Sequence, residues 1–187
     1  MNNFKQYIKS NFQFSDAEIE QLSNCFEAKK IAKNDYFLKE GQYCKSVAFV
    51  EKGNFIYFQL VEGEEKVCDF AFENDWITQY KSLLGQIPSE LSIKALSATE
   101  ILEMKMPKIE KLAEELPKVN MIRASLAEQY FTASTQRAAN LTNLDAKARY
   151  QALLKENPEI HQRVPQYYIA SYLGIKPQSL SRIRSEK

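Results

Sequence analysis

Apolar positions change their period twice along this chain. Ser15 with Glu18 forms a capping-box pattern, and Ile19, Leu22 and Cys25–Phe26 follow at helical spacing, which predicts a short amphipathic helix over 15–26. The next 80 or so residues, on the spacing expected for short strands, carry β-branched and aromatic runs instead. These are Lys30–Ala32, Tyr36–Leu38, Ser46–Val50, Asn54–Leu60, Lys66–Phe72, Leu91–Ala95 and Glu100–Met104. Turn residues separate them at Lys33-Asn34-Asp35, Glu40-Gly41, Glu51-Lys52-Gly53, Glu62-Gly63-Glu64 and Glu73-Asn74-Asp75, with a short helical piece near 78–85. Many short strands at even spacing predict an all-β barrel or jelly roll.

After Met106 the period is helical. Pro107 suits the first position of a helix over Pro107–Leu116, and Pro117 opens a second. In that second helix Val119, Ile122, Leu126, Tyr130, Ala133, Arg137 and Leu141 recur every three or four residues. A helix of about 24 residues is roughly 36 Å long, more than one small core needs. It reads as a domain connector or one half of a dimer coiled coil, with a long core helix inside one domain as the alternative. Leu144–Lys155 is a further helix, ended by Asn157-Pro158. The last segment then reads as helix, glycine turn, helix. Ile169, Ala170 and Leu173 form one apolar face, Gly174 stops the helix, and Ile175 packs inward from the turn. Pro177 starts the second helix, with Leu180 and Ile183 inward and Gln178, Ser179, Ser181, Arg182 and Arg184 on its polar surface. Small Ala170 allows the close approach a helix-turn-helix requires. Gln, Ser and Arg on such a helix suit the major groove, where Gln reads adenine, Arg reads guanine and Ser meets bases or phosphate.

Charge sharpens this picture. The 187 residues have a formal net charge of only +1, but residues 1–106 hold 12 basic and 16 acidic side chains and residues 107–187 hold 13 and 8. Residues 160–187 set Arg163, Lys176, Arg182, Arg184 and Lys187 against Glu186 alone, which points to a polyanion partner for that arm. With 44% hydrophobic and 26% charged residues the composition is that of a globular protein. No window approaches the roughly 20 apolar residues that span a bilayer, and the first residues show no signal-peptide pattern, so a cytoplasmic protein without a membrane partner is expected. Cys25, Cys44 and Cys68 are far apart and His161 is the only histidine, which offers no metal-ligand spacing, no disulfide framework and no nucleophile–base grouping. Neither a metal nor a catalytic residue is therefore expected.

With these features in place, the chain resembles the Crp/Fnr family of bacterial transcription regulators. The resemblance rests on Ile169-Ala170-Ser171-Tyr172-Leu173-Gly174-Ile175 with Ser179-Leu180-Ser181-Arg182-Ile183, and on the run Asn140–Tyr150. The turns Lys39-Glu40-Gly41 and Glu51-Lys52-Gly53 are similar to the family's early β-roll turns. It implies an α+β chain: a cyclic-nucleotide-binding-type β-roll (1–116), a dimerisation helix (117–141) and a helix-turn-helix domain (142–187). It also implies a homodimer on inverted-repeat double-stranded DNA, with RNA polymerase and a small-molecule effector as further partners. Lys176, Gln178, Ser179, Ser181, Arg182 and Arg184 are the candidate DNA contacts, base reading being implied for Gln178, Ser179 and Arg182. Val119, Ile122, Leu126, Tyr130 and Ala133 are the candidate dimer seam.

Two departures from the family pattern shape the remaining expectations. Where cyclic-nucleotide-binding members carry Gly-Glu and Arg-Ser around the phosphate, this chain has Thr78-Gln79 and Ser89-Glu90. A carboxylate repels a phosphate, and without glycine the backbone cannot fold as tightly around it. Cyclic AMP is therefore not an expected ligand, no cofactor is expected, and the effector is unassigned. The candidate effector pocket consists of Trp76, Thr78, Gln79, Tyr80, Ser89 and Glu90. The sequence also ends at Lys187, so the β-hairpin wing that often follows the recognition helix is expected to be absent and its phosphate contacts to come from elsewhere. The competing functional class is a cyclic-nucleotide- or small-ligand-binding module whose helical end contacts protein rather than DNA.

Overall fold

The computed structural model describes residues 1–185; Glu186 and Lys187, counted above in the basic arm and the last domain, lie outside the described residues. The chain divides into two compact units, residues 1–57 with 70–127, and residues 58–69 with 128 onward.

The first unit holds most of the β-roll, residues 58–69 of one of its hairpins falling in the second. The roll's strands are β1 (Glu27–Ile31), β2 (Tyr36–Leu38), β3 (Ser46–Lys52), β4 (Phe55–Val61), β5 (Glu64–Ala71), β6 (Trp76–Ile77), β7 (Ser92–Ala95) and β8 (Thr99–Lys105). They form two four-stranded sheets, in the orders β1-β8-β3-β6 and β2-β7-β4-β5. β8 pairs antiparallel with β1 and with β3, where Phe49 lies opposite Leu102 and Val50 opposite Ile101. Alternation along β3 assigns its side chains to two cores. Ala48 and Val50 face Phe55, Ile93 and Ala95 of the other sheet, whereas Phe49 turns outward under the N-terminal helices. β3 is therefore covered on both faces, which is why Ser46–Val50 reads as a nearly continuous apolar run. Gly53 closes the β3–β4 turn at φ +98°, and a Cβ there would lie 2.5 Å from Thr99 Cγ2, so both backbone and space require glycine.

The outer core is roofed by α1 (Asn2–Asn11), α2 (Asp16–Ser23), α4 (Met106–Glu115) and the first turns of α5 (Val119–Asn143). The expected capping box is present: Glu18 N–H donates to Ser15 Oγ, and Ser15 N–H donates to Glu18 Oε2 at 2.7 Å. The sequence pattern does not predict α1, because Phe4 and Ile8 are its only buried positions. Tertiary contact supplies what periodicity lacks. The Phe4 ring lies 4.7 Å from Phe26 and 5.3 Å from Phe49, and burying one such side chain stabilises by roughly 1.5–3 kcal/mol. The expected helices over 107–116, 117–141 and 144–155 lie at Met106–Glu115, Val119–Asn143 and Ala146–Glu156. The 78–85 piece is α3 (Tyr80–Gly85).

The second unit joins the tip of the β4–β5 hairpin to the rest of α5, α6 (Ala146–Glu156), α7 (Ile160–Arg163), α8 (Gln166–Tyr172) and α9 (Pro177–Ser185). The hairpin tip docks through polar contacts. Val67 N–H donates to Ser171 Oγ at 2.9 Å, and Ser171 Oγ in turn donates to Glu65 O at 3.1 Å. Tyr168 Oη donates to Glu65 Oε2 at 2.6 Å, which with burial holds the phenol in its neutral form well above its ordinary pKa. Leu153, Ile160, Val164, Ile169, Ala170, Leu173 and Leu180 are buried in this unit.

Candidate nucleic-acid interface and ligand site

α8 and α9 meet through a tight glycine turn. Gly174 adopts φ +68°, its N–H donates to Ser171 O at 3.0 Å, and Ile175 N–H reaches back to Ala170 O at 3.0 Å. These two bonds satisfy the last carbonyls of α8 as a Schellman-type cap does, and they fix the angle at which the chain leaves the helix. Ala170 and Leu180 are fully buried, so the two helices pack closely at the expected small residue. Pro177 opens α9, with Leu180 N–H bonded to Lys176 O at 3.2 Å. Leu180 faces inward and Ile183 is half-buried. Lys176, Gln178, Ser179, Ser181, Arg182 and Arg184 are all exposed on one short stretch that contains no acidic residue. The helix thus offers hydrogen-bond donors and positive charge together, at the spacing of a single helical face and its flanks.

The candidate seam on α5 divides in two. Val119 and Ile122 are each only 4% exposed, packed in the outer core with Ile109 and Leu112. They are not seam residues, because the β-roll uses the first turns of α5 to close its own core; Leu126 also packs against that cluster. Tyr130 and Ala133 are exposed, and Phe131 is 70% exposed beside them, with Met121 and Leu141 also outward. The sequence reading missed Phe131 because it lies off the three-and-four register counted from Val119.

The candidate pocket residues are engaged by their own chain. Trp76 belongs elsewhere: its ring packs 5.4 Å from Phe49 and 5.9 Å from Phe4, inside the aromatic cluster under α1. A pocket assignment for Trp76 needed α1 to be absent, and α1 covers it. Thr78 Oγ1 donates to Ser46 O at 3.0 Å, and Gln79 N–H donates to Cys44 Sγ at 3.5 Å. Gln79 Oε1 accepts the Ser82 N–H, so it caps α3 itself. Ser89 Oγ donates to Leu91 O at 2.7 Å. Glu90 pairs with Lys81 in an exposed ion pair, and Tyr80 is half-buried. The short helix that would cradle a phosphate has its first turn filled by Gln79, and the one lysine alongside faces Glu90. This arrangement does not fit a cyclic nucleotide's phosphodiester. Among the described residues, no group of three or more His, Cys, Asp and Glu could hold a metal, and no helix is long and apolar enough to cross a membrane.

Residues 28–115 match the cyclic nucleotide-binding domain family. Among solved structures, FixK2 from Bradyrhizobium japonicum superposes with a TM-score of 0.74 at 18% identity, covering 86% of this chain and 83% of that one. The c-di-GMP-responsive global regulator CLP of Xanthomonas campestris gives 0.73 at 14% identity, over 92% and 91% of the two chains. The catabolite activator protein of Thermus thermophilus gives 0.60 at 17% identity, over 92% and 83%. Comparison with curated protein sequences yields no significant match. Residues 28–115 thus match the cyclic nucleotide-binding domain family, and the chain shares the mixed α+β fold of these solved structures, a β-roll followed by a long helix and a helix-turn-helix.

Proposed function

We propose that this protein is a cytoplasmic, homodimeric, sequence-specific DNA-binding transcription regulator, not an enzyme, whose β-roll takes no cyclic nucleotide. The observation that carries the reading is α9: Gln178, Ser179, Ser181, Arg182 and Arg184 stand exposed around buried Leu180, with no carboxylate on the helix. Such a face matches base edges and phosphates and has little to offer an apolar partner. Phe131 and Tyr130 on α5 support the dimer, since two large exposed aromatics on one long helix suit burial against a second copy. The self-capped Gln79 and the Lys81–Glu90 pair support a roll that acts as a scaffold or takes another effector. RNA polymerase contact belongs to the same reading.

A gel-shift series over salt concentration tests it. Binding to duplex DNA should weaken steeply as salt rises, because each neutralised phosphate releases counterions. No duplex binding, or binding insensitive to salt, would favour a helical end that contacts protein instead.

A further inference from the structure

The tip of the β4–β5 hairpin, residues 58–69, carries Glu62, Glu64, Glu65 and Asp69 against Lys66 alone. The helical part of the same unit, residues 128–185, carries eight basic side chains against four acidic ones. Tip and helices are therefore formally −3 and +4. The tip takes back most of the positive charge that would draw a polyanion to this unit. It is also fastened there. β5 is an edge strand of its sheet, and main-chain groups of Glu65 and Val67 on that strand are met by helix side chains. Val67 N–H donates to Ser171 Oγ at 2.9 Å, Ser171 Oγ donates to Glu65 O at 3.1 Å, and Arg137 Nη2 donates to Val67 O at 3.2 Å. The Glu65 carboxylate accepts from Tyr168 Oη at 2.6 Å, and Tyr168 stands in the first turn of α8.

In a helix-turn-helix the first helix crosses the DNA backbone while the second enters the groove. α8 is the first helix here, so a carboxylate fastened to its first turn raises the cost of bringing a phosphate to that turn. The fastening is reversible by its chemistry. Each bond runs between a side chain of the helices and a hairpin whose turn, Glu62–Glu64, is exposed, and water can replace such bonds at small net cost. We propose that the β4–β5 hairpin is an autoinhibitory latch: closed on α8 it holds the acidic tip against the helix-turn-helix, and its release tightens DNA binding. The latch rests on the reading of α9 as a DNA-binding helix. Its other end is in the roll, where Phe55 of β4 and Ala71 of β5 are buried in the inner core. A shift of that sheet is thus carried to α8 along the two strands. Because DNA binds the open form better, DNA must open the latch by the same factor that the latch weakens DNA binding.

The test is a fluorescence-anisotropy titration of the full-length protein with a labelled random-sequence duplex, at one low salt concentration. Ser171→Ala and Tyr168→Phe each remove latch bonds without altering charge or buried apolar surface, so both are expected to fold. Each should bind the duplex about 3- to 10-fold more tightly than the wild type, as expected for the loss of one or two hydrogen bonds that hold the closed form. Glu64→Gln is the charge control: it removes a tip carboxylate that pairs with Lys66 within the hairpin. In the wild type, hydrogen exchange at the Val67 amide should accelerate when the duplex is saturating, because its bond to Ser171 opens. Tighter binding in Glu64→Gln alone would make the tip a fixed charge and overturn the latch. Wild-type binding that stays equal or weakens in Ser171→Ala and Tyr168→Phe, or slower Val67 exchange on DNA, would also overturn the latch while leaving the DNA-binding reading intact. Failure of the wild type and every variant to bind the duplex would instead overturn that reading, and the latch with it.

Discussion

Arg182 sits in the middle of α9, exposed, one residue beyond Ser181 and two beyond buried Leu180. Its long side chain leaves the helix on the polar side, and its planar fork can bond a guanine edge in two places at once. Arg182→Ala should therefore cost about 1–3 kcal/mol of DNA affinity and flatten the preference at a single base position. Competition binding with operator variants reads both effects. Equal loss on every sequence would demote Arg182 to a phosphate contact. Gln178 and Ser179 lie in the first turn of the same helix, the end that enters the groove in helix-turn-helix proteins. Residue types and their order made this face legible from sequence, because a helix must turn Leu180 and Ile183 one way and its polar side chains the other. Arg137 was legible only in hindsight: a cation in the apolar register of a long helix signals a partner, but nothing local says which.

At the scale of elements, α5 decides the assembly. Its first turns are committed to the β-roll through Val119 and Ile122, so the proposed seam starts further along, at Tyr130, Phe131 and Ala133. Leu126 packs against the chain's own core, and changing it would confuse folding with assembly. Phe131, 70% exposed, is the cleaner probe. Phe131→Glu should convert a dimer to a monomer in analytical ultracentrifugation while leaving far-UV circular dichroism unchanged. A wild-type monomer, or an undisturbed dimer in the variant, contradicts the proposed seam. Periodicity alone could not separate the two halves of α5, since a residue facing its own core and a residue facing a second copy are equally apolar. The same limit hid α1. Its two buried residues, Phe4 and Ile8, fall below any periodic signal, and only Phe26, Phe49 and Trp76 beneath them make the helix worth forming. The sequence places Trp76 in a pocket, whereas its ring packs beneath α1 against Phe4 and Phe49. The strands were easier, because turn residues such as Gly53, at φ +98°, punctuate them.

For the whole molecule, the fold class followed from the sequence because three regimes succeed one another without overlap: alternating strands, a long helical period, then helix-glycine-helix. What the roll senses did not follow, since a ligand site is decided by a few side chains whose partners lie far away in sequence. Cys44 receiving the Gln79 N–H across 35 positions is one such case. Calorimetry with cyclic AMP and cyclic GMP should show no binding heat at micromolar protein, because Gln79 already occupies the first turn of α3 and Glu90 faces Lys81. Saturable micromolar binding would mean that this cap opens and that Lys81 leaves Glu90 to take the phosphate. The central claim, a symmetric dimer that reads DNA through α9, has a more direct test. Repeated selection from a pool of randomised duplexes should enrich an inverted repeat whose half-site centres lie one helical turn, ~34 Å, apart. A pool that stays random while the protein remains folded, or one that yields a single unrepeated site, contradicts the claim.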